Sequence, residues 1–284
     1  MALYLGKDLV SAFSGSGGTT IKNQDITVTE NGTYTAENGY TGLGTVTVDV
    51  PTGGGENKLA SYFNGTVTEI TAEDFGGATK IADSAFDSYT NLTSVTIPDS
   101  VTKIGSKAFK GCRQLTNLII PDSVTSIGSY AFQDCKSLKS VTIPDSVTKI
   151  EMNTFYGCGS LGGIIIPDSV TSIGSYAFSN CGSLTNLIIP DSVTEIGSNA
   201  FQYCYGLKSV TFHNGVKITY NAFKSCTSME VYDFTACTSV PVLGNANVFE
   251  GIPSTCQIRV PASLYDEWIA ATNWSNYASN IVAV

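Results

Sequence analysis

The chain has 284 residues, 42% of them hydrophobic, and a formal net charge of −9. That balance, with no basic stripe, argues against nucleic acid and anionic membrane surfaces as partners. No apolar run approaches the ~20 residues that cross a bilayer, so membrane insertion is not expected.

Residues 1–51 open with MALYLGKDLVSAF, where Lys7 and Asp8 interrupt the apolar stretch and argue against a secretory signal. A Gly/Ser/Thr stretch follows, then ITVTENGTYTAENGYTGLGTVTVDVP. Asn31-Gly32 and Asn38-Gly39 are turn signals between runs rich in Val, Thr and Tyr, which predicts a small β module. The T-E-N-G-T-Y-T…G-L-G-T-V-T-V-D-V-P stretch resembles short β modules of phage tail and baseplate proteins and of gut-bacterial surface proteins. Residues 52–57 read as a Gly-rich linker.

Residues 58–91 are expected to hold an N-terminal cap and a degenerate first repeat. Ile81, Ala85 and Phe86 lie 23 residues before Ile104, Ala108 and Phe109, with Tyr89 where later units carry cysteine. Six further units fill residues 92–228, at intervals of 23 residues shortening to 22 at the last. Their cysteines are Cys112, Cys135, Cys158, Cys181, Cys204 and Cys226. Their phenylalanines are Phe109, Phe132, Phe155, Phe178, Phe201 and Phe223. One apolar type per column means side chains stacked from coil to coil, because a unit this small cannot bury its own apolar face. The architecture is therefore a repeat solenoid. S-V-T-I alternates with period two and reads as a short strand, which proline ends. P-D-S makes a turn, V-T-x-I a second extended piece, and A-F-x-x-C one helical or 3₁₀ turn. Residues 229–284 lose the period. Leu264, Trp268 and Ile269 lie at helical spacing with Trp274 and Tyr277 beyond, as in a helical C-terminal cap.

The L-x-x-L-x-L-P-x-x-[LV]-x-x-I-x-x-x-A-F-x-x-C pattern over residues 69–228 resembles the bacterial surface leucine-rich repeats of the BspA-like type. Local departures are Thr154 for Ala, His213 for Pro, and one missing residue near Lys217. The resemblance implies a right-handed leucine-rich-repeat solenoid of short parallel strands and a binding or adhesive surface protein. Extracellular, cell-surface or virion locations fit it.

The cysteine column reads as core, since in-register thiols point the same way rather than at each other and cannot surround zinc. Cys237 and Cys256, outside the column, are the better candidates for a bonded pair. Asp99, Asp122, Asp145, Asp168 and Asp191 form a second column, read as turn residues bonding their own backbone rather than as a calcium row. Candidate recognition residues are Tyr130, Tyr156, Tyr176, Tyr203 and Tyr205, with Ile119, Ile165 and Ile188 on the outward side of the strands. Exposed aromatics stack on sugars or anchor proteins; the bland alternatives are cover for the next coil and β-propensity filler. His213 is the only histidine, which removes histidine-based triads. No catalytic residue, metal site or cofactor is expected. The leading expectation is non-enzymatic recognition of a protein or cell-surface glycan. The rival is a structural subunit of a phage tail, virion or filament, self-assembling through the N-terminal module and the solenoid ends.

Overall fold

The computed structural model describes residues 68–284 except 76 and 214, together with the backbones of six short strands between residues 2 and 48. Four of these, Ala2–Leu5, Asp8–Ala12, Thr19–Lys22 and Ile26–Val28, pair antiparallel in chain order. Gly32–Tyr34 pairs antiparallel with Val46–Val48. The Asn38-Gly39 turn and the linker at 52–57 lie outside the described residues.

From residue 68 the chain winds as a parallel β-solenoid. Three hydrogen-bonded ladders run along the coils. The front ladder holds Glu69–Ile70, Ser94–Thr96, Asn117–Ile119 and Ser140–Thr142, all parallel. It resumes with Asn186–Ile188, Ser209–Thr211, Val231–Asp233, Gln257–Val260 and Ile281–Ala283. The middle residue of each strand from Val95 to Val210 points inward and its neighbours outward, as the two-residue pleat requires. Proline then ends the strand, and the backbone closes a turn, as with Val101 N–H on Pro98 O at 3.0 Å.

The second ladder pairs Lys80–Ile81, Lys103–Ile104 and Ser126–Ile127. It continues through Lys149–Ile150, Ser172–Ile173, Glu195–Ile196, Lys217–Ile218 and Val242–Leu243. Glycine follows at 105, 128, 174 and 197, where an added Cβ would lie 2.5–2.7 Å from the backbone of the preceding coil. Only glycine lets the coils approach that closely.

The third ladder corrects the helical reading of A-F-x-x-C. The segment is a run of β-turns in which alternate amides point in different directions. Ala85, Asp87 and Tyr89 bond three residues back, while Ser84, Phe86 and Ser88 donate to Ser106, Ala108 and Lys110 of the next coil. A helix would keep all these bonds inside one coil; the turn run uses half of them to join coils. The geometry needs left-handed backbone at two positions per coil, Ser84 (φ 57°) and Ser88 (φ 64°) in the first.

Inside, the phenylalanines stack from Phe86 to Phe223 with centroids 5.0–5.5 Å apart and ring planes within 17° of parallel. The ladder does not stop at Ser228, where the sequence period does. Its end is closed by side chains that take up carbonyls of the last coils. Trp274 Nε1 donates to Pro241 O at 2.7 Å, Asn273 Nδ2 to Leu243 O at 2.9 Å and Tyr277 Oη to Ala246 O at 2.6 Å. The helix Tyr265–Ala270 adds the fully buried Trp268.

Candidate recognition surface

The cysteine column faces the core. Cys112, Cys135, Cys158, Cys181, Cys204 and Cys226 are fully buried, and each thiol donates to a phenylalanine carbonyl of the preceding coil at 3.1–3.3 Å. Burial pushes the thiols of Cys112 and Cys226 from the ordinary value of 9.0 up to about 12, and raises Cys135, Cys158, Cys181 and Cys204 as well. A thiol buried this deeply packs as a small apolar side chain with a weak S–H donor. Cys237 and Cys256 are also free, so they are not a disulfide. Each sits buried in its own coil, and Cys237 Sγ contacts His213 O at 3.4 Å.

The aspartate column is placed differently from the expectation. Asp99, Asp122, Asp145 and Asp168 are exposed and do not bond their own turns. Their serine neighbours do the joining: Ser123, Ser169 and Ser192 each donate to a valine carbonyl one coil back at 2.7 Å. Among the described residues no three His, Cys, Asp or Glu side chains converge on one point. His213 lies in the proline column, its Nδ1 2.9 Å from Ile189 O.

Outward on the front ladder stand Ile119, Ile165 and Ile188, 76%, 84% and 64% exposed. Only Ile165 and Ile188 are on neighbouring coils; Thr142 separates them from Ile119. Ile165 and Ile188 thus form an exposed apolar pair, with Ile119 two coils away on the same face.

The tyrosines lie on the turn ladder. Tyr130 (φ 64°) and Tyr176 (φ 57°) occupy one left-handed column, and Tyr203 (φ 61°) occupies the other. Bulky side chains rarely take this conformation. Equivalent places in other coils include Asn153, Asn180, Asn199, Asn221, Gly111 and Gly157, which suit it. Tyr130 is half-buried, with Lys107 Nζ 5.9 Å from its ring centre and Met152 Sδ 3.9 Å from its hydroxyl. Tyr176 is exposed, Tyr156 and Tyr203 half-buried, and Tyr205 exposed with its ring 5.8 Å from that of Tyr203. Met152 and Tyr220, also exposed, join this side although single-sequence reading passes over them. Their signal is present as departures from the serine that recurs at 106, 129, 175 and 198.

The BspA type leucine rich repeat region model matches residues 79–166 and 148–266, with six copies. The chain belongs to the BspA-type leucine-rich-repeat family. Solved structures similar to it include a leucine rich repeat protein of T. pallidum, 30% identical over 62% of this chain and 72% of that one, with a TM-score of 0.43. A leucine-rich repeat protein from Bacteroides ovatus is 22% identical over 99% of this chain and 82% of its own, TM-score 0.46. A leucine rich cell surface protein from Faecalibacterium prausnitzii is 24% identical over 93% and 89%, TM-score 0.45. No curated protein sequence matches the chain. Among the described residues no helix is long and apolar enough to cross a membrane.

Proposed function

We propose that this BspA-type solenoid is a non-enzymatic recognition module at a cell surface, and that the tyrosine-bearing turn ladder meets a protein or glycan target. The observation that supports this reading is conformational. Tyr130, Tyr176 and Tyr203 sit where the backbone is left-handed and where asparagine or glycine serves the fold better. Holding a bulky residue there costs on the order of 1–2 kcal/mol. A function outside the fold accounts for the choice. Repetition along the coils suits a repetitive target, since weak contacts on neighbouring coils add as avidity.

The test is the full-length protein on arrays of cell-surface polysaccharides and extracellular proteins, followed by the Tyr176→Asn/Tyr203→Asn double variant. Binding should fall while thermal stability stays level or rises. Undiminished binding would remove the tyrosines from the contact. The N-terminal β strands would serve for attachment to a larger body.

A second reading rests on the last strand. Among the described residues Ile281–Ala283 pairs with Gln257–Val260 alone. A phage tail, virion or filament subunit would use such an edge to join another copy. Light scattering across a hundredfold concentration range separates the two, because only the subunit gains mass with concentration.

A further inference from the structure

The three ladders are not equally continuous, and their interruptions fall at neighbouring junctions. The second ladder divides between Ser126–Ile127 and Lys149–Ile150, where the front ladder stays paired. The front ladder divides around residues 161–166, where no strand forms although Gly162 N–H still reaches Lys139 O at 3.2 Å, and there the second ladder stays paired. The turn ladder crosses the same region without a gap. Tyr130, Phe132 and Asp134 donate to Met152, Thr154 and Tyr156, and Asn153, Phe155 and Gly157 to Ser175, Ala177 and Ser179, at 2.7–3.0 Å. The Phe132–Phe155–Phe178 stack is likewise unbroken, at 5.5 and 5.3 Å.

Each gap has a residue-level cause. Glu151 occupies the glycine column of Gly105, Gly128, Gly174 and Gly197. Those glycine amides reach the preceding coil's isoleucine carbonyl at 2.7–2.9 Å, and a Cβ on any of them would meet that coil's backbone at 2.5–2.7 Å. A Cβ at 151, at the glycines' spacing, would press on the backbone of the preceding coil. The Glu151 amide makes no such bond to Ile127 O, and Thr148 makes none to Thr125 O, although Thr125, Thr171 and Thr194 keep theirs at 2.9–3.0 Å. The threonine hydroxyls repeat the pattern: Thr102, Thr125, Thr171 and Thr194 donate one coil back, and Thr148 does not. Thr219 also carries a side chain in this column, as does Ala82 at its start. Thr219 lies in the shortened coil, and there both its amide and its hydroxyl reach Ile196 O, at 3.0 and 2.8 Å. On the front ladder the cause is Gly162-Gly163. Neither has a positive φ, and a Cβ on either would meet open space, so nothing in the backbone requires glycine there. Paired glycines in a strand weaken it through chain entropy and missing side-chain contacts.

We propose that coils 138–160 and 161–183 form a flexing joint, in which each junction keeps the turn ladder and one other ladder and opens on the third. The second-ladder face opens and closes below coil 138–160, and the front face opens and closes around coil 161–183. Ile119 and Tyr130 lie on one side of the joint, Ile188 and Tyr203 on the other, so bending resets the spacing of surface residues along the rod. A solenoid built this way adapts to the curvature of what it lies on.

Two measurements on the full-length protein test the joint. In amide-resolved hydrogen exchange, Thr148 and Glu151 should exchange about tenfold or more faster than Thr125, Gly128, Thr171 and Gly174. Glu151→Gly, which restores the column, should slow both. Spin labels on cysteines introduced at Thr102 and Thr194 span four coils on the second-ladder face, about 20 Å. A pair at Lys110 and Gln202 spans four coils on the turn face, and the buried native thiols stay unlabelled. The first pair should give the broader distance distribution, narrowing to the width of the second in Glu151→Gly. Equal widths in the unsubstituted chain would overturn the joint. A broad first distribution that Glu151→Gly leaves unchanged would overturn its assigned cause.

Discussion

Between Phe86 and Phe223 the aromatic core is one column of near-parallel rings, whereas between Phe223 and Tyr277 it is a cluster of crossed rings. Phe234 meets Trp274 at 89°, Phe249 meets Tyr277 at 80°, and Trp268 meets Trp274 at 68°. The difference follows from what each region must satisfy. A middle coil has a neighbour above and below, so its ring must match both, and the same residue recurs. The last coils meet the helix and the Trp274 segment instead of another repeat. Carbonyls there need partners and the core needs cover, which indole and amide side chains supply together. Regularity belongs to the middle because like neighbours impose it, and the end is irregular because the last coils pack against a segment that does not repeat them.

The largest effects test that contrast. Phe155→Ala leaves a void in the middle of the column and should cost about 3–5 kcal/mol, lowering the denaturant midpoint of the whole solenoid. Trp274→Ala should cost a similar amount but act locally, with hydrogen exchange rising first in residues 241–284. A loss below about 1 kcal/mol at Phe155 would break the stacked-column account.

The thiols give the next effect. Burial raises Cys112, Cys226 and Cys256 to about 12 from an ordinary 9.0, so the folded state keeps protons that the unfolded chain releases. Stability from these groups is fully present below the unfolded value. It is lost as pH rises from about 9 toward 12, by on the order of 1.4 kcal/mol per pH unit for each thiol involved. Chemical denaturation at stepped pH should show a plateau below pH ~8 and a steep decline above ~9. Replacing Cys158 with alanine should make that decline shallower, and an unchanged slope would show that the column does not govern it.

How much of this is legible in the sequence follows from what a residue type reports. Leu92, Phe109, Cys112 and their repeats announce a stacked core because burial selects apolar type, and type is what a sequence prints. The turn run of A-F-x-x-C resembles a helical turn in sequence because its amides alternate between their own coil and the next, which composition does not record. Aspartate after proline suggests a side-chain turn bond, yet backbone amides and serine hydroxyls make the bonds here. The tyrosines are recognisable as surface residues, but their left-handed backbone is not, since tyrosine is a poor marker of that conformation. Glu151 stands plainly in a column of glycines. Its consequence emerges only when the glycines are seen to press against the coil beneath.

That last point can be sharpened with two small substitutions. Gly128→Ala sets a methyl 2.5 Å from Ser106 N and 2.8 Å from the backbone of Gly105, atoms that belong to a ladder and cannot turn aside. It should destabilise by about 1–3 kcal/mol and open the second ladder at a junction that is closed. Gly163→Ala places the same methyl in open space with no positive φ to oppose it. It should stabilise by about 0.5–1 kcal/mol, through the lost freedom of the unfolded chain. Opposite signs from one chemical change, measured as shifts in the urea midpoint, are the smallest of these effects and the most discriminating. Equal penalties at both sites would mean that the front ladder is closed at residue 163 in solution, and that coil contact there is as tight as at Gly128.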